Sequence, residues 1–302
     1  MASWQAYVFS TLLKYTFKPK LKGARDVARV RRVMSPRPFA LPLGVRLTPG
    51  EVGGVAGEWA ESDDASRGLL LYIHGGGFVA CSSETHRPIT SYLAKLGFRV
   101  FAPDYRLAPE TQFPGAIEDC YAALSWLHQN ASALGVDRTR IVIGGESAGG
   151  GIAAALAILA RDRGNIPLAY QLLIYPMLDD RTCVMSDHPH VGHFVWTQAN
   201  NRFGWNSYLG QPPGGEDVGA YSAAARCDDL AGLPPAFLAA GSLDLFLEED
   251  IDYARRLIRA GVPAELHIYP GAFHAFDLIA DAGVSKAFRR DWQNALEKAF
   301  SR

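Results

Sequence analysis

At 302 residues, with 48% hydrophobic and 20% charged side chains, the chain is long enough for one large α/β domain plus a small accessory unit, and its composition excludes the disordered and fibrous classes. A formal net charge of −1 provides no basic surface to replace condensed counterions, so nucleic acid drops out as a partner. The four cysteines, Cys81, Cys120, Cys183 and Cys227, lie far apart without a CxxC pair, which leaves buried free thiols rather than a zinc knuckle or a redox motif.

In chain order, Trp4, Tyr7, Val8, Leu12 and Tyr15 fall at spacings of three and four and predict a helix over Trp4 to Phe17. The segment lacks the basic start, long apolar centre and small-residue cleavage site of a signal peptide. No stretch of the sequence reaches the roughly 18 uncharged apolar residues that cross a bilayer, so stable membrane insertion is not expected and a cytoplasmic location is. Lys18 to Arg32 holds seven basic residues against one acid; a solvated face is expected, with an anionic membrane surface as the alternative. Ala40 to Ala60 has short apolar runs broken by Thr48-Pro49-Gly50 and Gly53-Gly54, which predicts an antiparallel pair at a sheet edge.

After Arg67 the pattern becomes short continuous apolar runs separated by helical stretches, as expected for a parallel sheet with helices on both faces. The predicted strands are Leu69 to Ile73, Arg99 to Ala102, Ile141 to Ile143, Tyr170 to Tyr175, Ala236 to Ala240 and Glu265 to Tyr269. Helices are expected over Thr85 to Leu96, Gly115 to Ala133, Ala148 to Arg161, Glu248 to Ala260 and Lys286 to Phe300. Between Tyr175 and Ala236, about sixty residues stand where one crossover would do, and this insertion is expected to form a lid.

The strongest local signal is Ile141-Val142-Ile143-Gly144-Gly145-Glu146-Ser147-Ala148-Gly149, a β-branched run, a turn and then an Ala-rich helix. Glycines two before and two after a serine suit a strand-to-helix turn too tight for a Cβ, and such a turn lifts the serine oxygen above the sheet edge at a helix N-terminus. Alone, G-x-S-x-G would fit a packing turn or a phosphate cradle equally well; the flanking strand and helix favour a nucleophile. Upstream, the run ending at Ile73 continues into His74-Gly75-Gly76-Gly77. Bare amides at a strand's C-terminal end can stabilise a tetrahedral oxyanion, and the amides of Gly76, Gly77 and Ala148 are assigned to that hole. His74 is expected to be structural.

A serine needs a base to take its proton and a carboxylate to orient the base. With a nucleophile elbow, the chain order is serine, acid, histidine. Of the histidines after Ser147, His267 lies inside a predicted strand, whereas His274 follows Pro270-Gly271 on a loop beyond that strand. His274 is therefore the expected base. Asp244, at the end of the preceding strand, is the expected acid; Glu248, Glu249 and Asp250 fit a first helical turn, where acids complement the dipole.

Taken together, His74-Gly75-Gly76-Gly77, Gly145 to Gly150, Asp104-Tyr105-Arg106-Leu107-Ala108-Pro109-Glu110 and Asp244 to Glu249 resemble the hormone-sensitive-lipase-like (bacterial family IV) esterases over about Gly68 to Phe276. That resemblance implies an α/β-hydrolase fold, a mostly parallel eight-stranded sheet with helices on both faces plus a helical cap. It implies a cap made from residues 1–45 and 181–230 around a core of 46–180 and 231–302. It further implies hydrolysis of short to medium acyl esters through an acyl-enzyme, with a small ester and water as reactants and no cofactor. Related amide, lactone or carbamate hydrolysis, or a non-catalytic ligand-binding role, are the alternatives; a homodimer is left open. Glu146 stands where related sequences often have Asp or Thr, and Leu245 where Pro is usual.

The insertion concentrates Phe194, Trp196, Phe203, Trp205 and Tyr208, suited both to packing and to lining an apolar pocket. It also carries Asp187-His188-Pro189-His190-Val191-Gly192-His193, where a zinc reading is weaker than that of a polar loop because Pro189 and Gly192 break the helix that would align the ligands.

Overall fold

The computed structural model describes residues 21, 23–36, 38–164, 166–186 and 188–300. The helix expected over Trp4 to Phe17 lies outside them. Eight strands form one sheet: β1 (Val45–Val52), β2 (Val55–Ser62), β3 (Gly68–Ile73), β4 (Phe98–Pro103), β5 (Ile141–Glu146), β6 (Tyr170–Ile174), β7 (Ala236–Gly241) and β8 (Ala264–Tyr269). Their spatial order is β1-β2-β4-β3-β5-β6-β7-β8. β1, β2 and β4 pair antiparallel, and all the other pairs are parallel. The first two make the expected edge hairpin. Val52 faces Val55 across Gly53-Gly54, whose φ values of +64° and +80° give the left-handed two-residue turn that matches strand twist.

The helices are α1 (Ala24–Val33), α2 (Arg87–Lys95), α3 (Gly115–Asn130), α4 (Ala148–Arg163), α5 (Gln198–Leu209), α6 (Leu247–Arg259) and α7 (Gly283–Phe300). Side-chain alternation along each strand divides the core in two. Leu69, Leu71, Ile73, Ile141 and Ile143 point to one face, where they pack with α3, α4 and α6. Leu70, Tyr72, Val100, Val142 and Leu172 point to the other, against Leu93 of α2 and Phe288 and Trp292 of α7. Because both faces are covered, β3 is buried along its whole length and its sequence can be continuously apolar.

Two helices depart from expectation. α1 arises within the basic run, where Val27 and Val30 face the core and the surrounding arginines obscure their spacing. Arg31 is only half-exposed: it donates to the Val79 carbonyl (2.7 Å) and the Ala108 carbonyl (3.1 Å) and pairs with Glu110 at the surface. α5 lies in the insertion and is capped by Thr197 and Gly210. Its polar sequence gave no helical period.

Candidate active site

β3 and β5 are neighbours in parallel register, with Ile73 opposite Gly145. The glycine loop leaving β3 and the serine turn leaving β5 therefore emerge side by side at the carboxyl end of the sheet. Ser147 has φ +55° and ψ −125°, a backbone state rare for a residue with a Cβ. Gly145 and Gly149 make it sterically accessible: a Cβ on Gly145 would lie 2.5 Å from the Ile73 carbonyl oxygen, and one on Gly149 would collide with the same group. The Ser147 amide donates to Ile174 and its carbonyl accepts from Met177, so the turn is fastened to the β6 side of the sheet.

The Ser147 hydroxyl donates to His274 Nε2 at 2.9 Å, and His274 Nδ1 donates to Asp244 Oδ2 at 2.9 Å. The other Asp244 oxygen accepts from the Phe246 amide at 3.1 Å. Asp244 ends its turn after β7 and His274 sits five residues past β8, so the three expected residues converge from three loops. Tyr175 and Phe246 meet the His274 ring edge to face at 4.9 and 5.1 Å and fix its plane. All three side chains are nearly sealed: Ser147 is 6% exposed, His274 5% and Asp244 0%.

Gly76 and Gly77 take φ values of +116° and +61°. Their amides donate to no other group among the described residues, and Ala148 opens α4, where the first amides have no intrahelical acceptor. Trp196 of the insertion covers Gly77 on one side, and its ring centroid lies 6.3 Å from that of His274. A Cβ on Gly204 of α5 would lie 2.9 Å from the Gly77 carbonyl, so a glycine there lets α5 rest on the loop. His74 stacks on Tyr105 at 4.2 Å and bonds to the Gly75 carbonyl. Burial and the facing His86 charge hold the His74 imidazole down at about 3, which leaves it neutral and structural.

Sequence reasoning missed a second group of titratable side chains. Glu146 accepts from His86 Nε2 at 2.8 Å and from the Tyr72 hydroxyl at 2.9 Å. Tyr175 donates to Asp277 at 2.7 Å. Burial and the Glu146 charge push the Asp277 carboxyl up to about 6. The available signal was the position of Glu146 directly before the serine.

Glu249 and Asp250 are not exposed dipole partners. Glu249 accepts from the Leu178 and Asp179 amides and from the Thr182 hydroxyl, and burial pushes its carboxyl well up. Leu245, where proline was usual, packs against Gly192 of the insertion; a Cβ there would lie 2.7 Å from its methyl. Asp187 of the histidine-rich loop lies outside the described residues. Within that loop, His193 Nε2 bonds to the Pro189 carbonyl and the His188 ring meets His190 edge to face.

A family model described as alpha/beta hydrolase fold matches residues 70–278. The chain is 36% identical over 231 residues to esterase LipI of Mycobacterium tuberculosis, covering 74% of this chain and 70% of that one. Among solved structures it is similar to a bacterial heroin esterase, with 38% identity, a TM-score of 0.83 and coverage of 90% and 89%. A hormone-sensitive lipase from a metagenome library matches at 28% identity and a TM-score of 0.83, covering 98% of both chains.

Proposed function

The chain belongs to the α/β-hydrolase family, and from that premise we propose that it is a carboxylesterase in which Ser147 is the nucleophile, His274 the general base and Asp244 the orienting acid. The observation that carries this reading is the unbroken hydrogen-bond line from Ser147 Oγ through both His274 nitrogens to a fully buried Asp244.

His274 Nε2 takes the hydroxyl proton as Ser147 Oγ attacks the acyl carbon. The carbonyl electrons move onto oxygen, and the amides of Gly76, Gly77 and Ala148 hold the resulting oxyanion. Asp244 keeps the proton on Nδ1 and stabilises the imidazolium. The C–O bond to the alcohol then breaks, His274 returns its proton to the departing oxygen, and an acyl-serine ester remains. Water repeats the sequence, releasing the acid and restoring Ser147. Every proton is carried by a side chain of this protein, so no cofactor enters.

The substrate is a short to medium acyl ester. α1 and the insertion act as its cap, with residues 1–45 and 181–230 the cap pieces and 46–180 and 231–302 the core. Cytoplasmic residence and a homodimer through the open edge of β8 complete the reading, checked by fractionation and sedimentation.

The decisive experiment is hydrolysis of aryl esters of increasing acyl length by the wild type and by Ser147→Ala. Turnover is expected to fall by at least about 10³-fold in the variant. Undiminished turnover would sink the mechanism, and a wild type inert to esters but active on an anilide would assign amide hydrolysis instead.

A further inference from the structure

We propose that His86 and Glu146 form a buried charge pair whose task is to hold the oxyanion loop against the nucleophile, making them positioning residues for ester hydrolysis. The inference rests on the esterase reading above and adds to it an ionised pair beside Ser147.

The protonation follows from the geometry. Nδ1 of His86 faces the Ser82 carbonyl at 3.1 Å and Thr85 Oγ1 at 2.8 Å. The Thr85 hydroxyl spends its own proton on that same carbonyl at 2.6 Å, so both neighbours of Nδ1 accept. Nε2 faces Glu146 Oε1 at 2.8 Å. The carboxylate at 2.8 Å outcompetes the Gly75 N–H, which also points at Nε2 from 3.3 Å, so Nε2 carries a proton as Nδ1 does and the ring is an imidazolium. Glu146 collects two donors, His86 and Tyr72, one on each oxygen, as an ionised carboxylate requires. Burial alone would lower the His86 value, but the Glu146 charge and hydrogen bond outweigh it and hold the imidazolium above its ordinary range.

The pair touches both halves of the site. The His86 ring lies 5.5 Å from the ring of His74, the residue that opens the loop, and the Gly75 N–H points at Nε2 from 3.3 Å without an acceptor there, because the 2.8 Å carboxylate contact keeps the proton on that nitrogen. A Cβ on Gly75 would lie 3.0 Å from the Glu146 carbonyl and 3.4 Å from Ser147 Cβ, so the loop's first glycine is pressed onto the elbow itself. His86 is in turn held by the short turn at Ser83–His86, which Asp104 anchors through the Ser83 amide (2.7 Å) and hydroxyl (3.0 Å). The groups facing the imidazolium are Glu146 from β5, Tyr72 from β3, neutral His74 from the loop and, acting through space, Asp277 beyond β8. If the proton leaves Nε2, Glu146 becomes an uncompensated buried charge and Nε2 becomes an acceptor for the Gly75 amide, which draws the loop's first glycine toward His86.

The test measures kcat and KM for an aryl ester from pH 6 to 10 in Glu146→Gln, His86→Gln and the double variant, with intact sites counted by an organophosphate titrant. Each single variant is expected to lose about 10- to 100-fold in kcat with KM within about threefold, since the defect lies in holding the oxyanion donors. The double variant should be no worse than the poorer single one. The wild-type kcat should fall on the alkaline side as His86 deprotonates; this limb should move toward neutral pH in Glu146→Gln and vanish in His86→Gln.

Wild-type kcat and alkaline limb in the folded variants would overturn the proposal, as would a loss fully accounted for by fewer titratable sites. If the glutamine variants do not fold, Tyr72→Phe removes a single donor to Glu146 and should cost about two- to fivefold in kcat; wild-type values there overturn the proposal equally. Retained turnover in Ser147→Ala would instead fault the esterase reading, so the two failures are separable.

Discussion

Asp277 shows how a single residue near the proposed triad can couple stability to pH. Its carboxyl is lifted from an ordinary 3.8 to about 6 by burial and by Glu146. The folded chain therefore binds a proton there that the unfolded chain has already released between those two values. Stability from this group is present below the unfolded value and declines as pH rises through the folded one. The shift corresponds to roughly 3 kcal/mol, of which about 1–2 kcal/mol is expected once partial solvent access is allowed for. Asp277→Asn retains an acceptor for the Tyr175 hydroxyl and removes the charge. Urea denaturation should find it more stable than the wild type by about 1–2 kcal/mol at pH 8, with the gap shrinking at pH 5; an equal gap at both would refute the account.

At the scale of elements, α6 matters for what its first turn binds. Glu249 joins that turn to the segment leaving β6, where the insertion begins. Truncating it would leave two amides and a hydroxyl without an acceptor, so Glu249→Ala should lower unfolding free energy by about 2–4 kcal/mol. Burial favours the neutral acid, which Gln mimics, so Glu249→Gln should stay within about 1 kcal/mol of wild type. Equal losses in both would show that packing, not the acceptor, is at stake. The sequence misled at this point because an acid at a helix start ordinarily faces water. It was informative where chemistry and local geometry coincide: the small residues around Ser147 and the bare glycines after β3 declared themselves through turn requirements, and His274 and Asp244, the expected base and acid, through chain order and their places at successive strand ends. β3 through β7 were legible because both sheet faces are buried. α1, α5 and the His86–Glu146 pair were not, because each is fixed by partners far along the chain: Arg31 by Val79, Gly204 by Gly77 and Glu146 by Tyr72.

For the whole molecule, the burial of the proposed triad would make the proposed cap part of the substrate-binding surface. Trp196 stands against Gly77 and near His274, with its indole held by Asn201 at 3.1 Å. Its removal should open room beside the acyl carbonyl. Trp196→Ala is expected to raise the ratio of kcat/KM for octanoyl over butanoyl aryl esters by at least about tenfold, within what a few methylenes are worth in an apolar pocket. An unchanged ratio would place the acyl chain elsewhere.

The parallel register of β3 and β5 has a consequence of a different kind. Ile73 faces Gly145, and the loop and elbow leave the sheet from that one rung of the ladder. A slip of one residue would turn every side chain of β3 to the opposite face and carry the glycine loop away from the serine. The site thus has no half-assembled form: a molecule can regain its helices, and much of its circular dichroism, without regaining this alignment. Turnover is accordingly a stricter gauge of correct refolding than any measure of secondary structure.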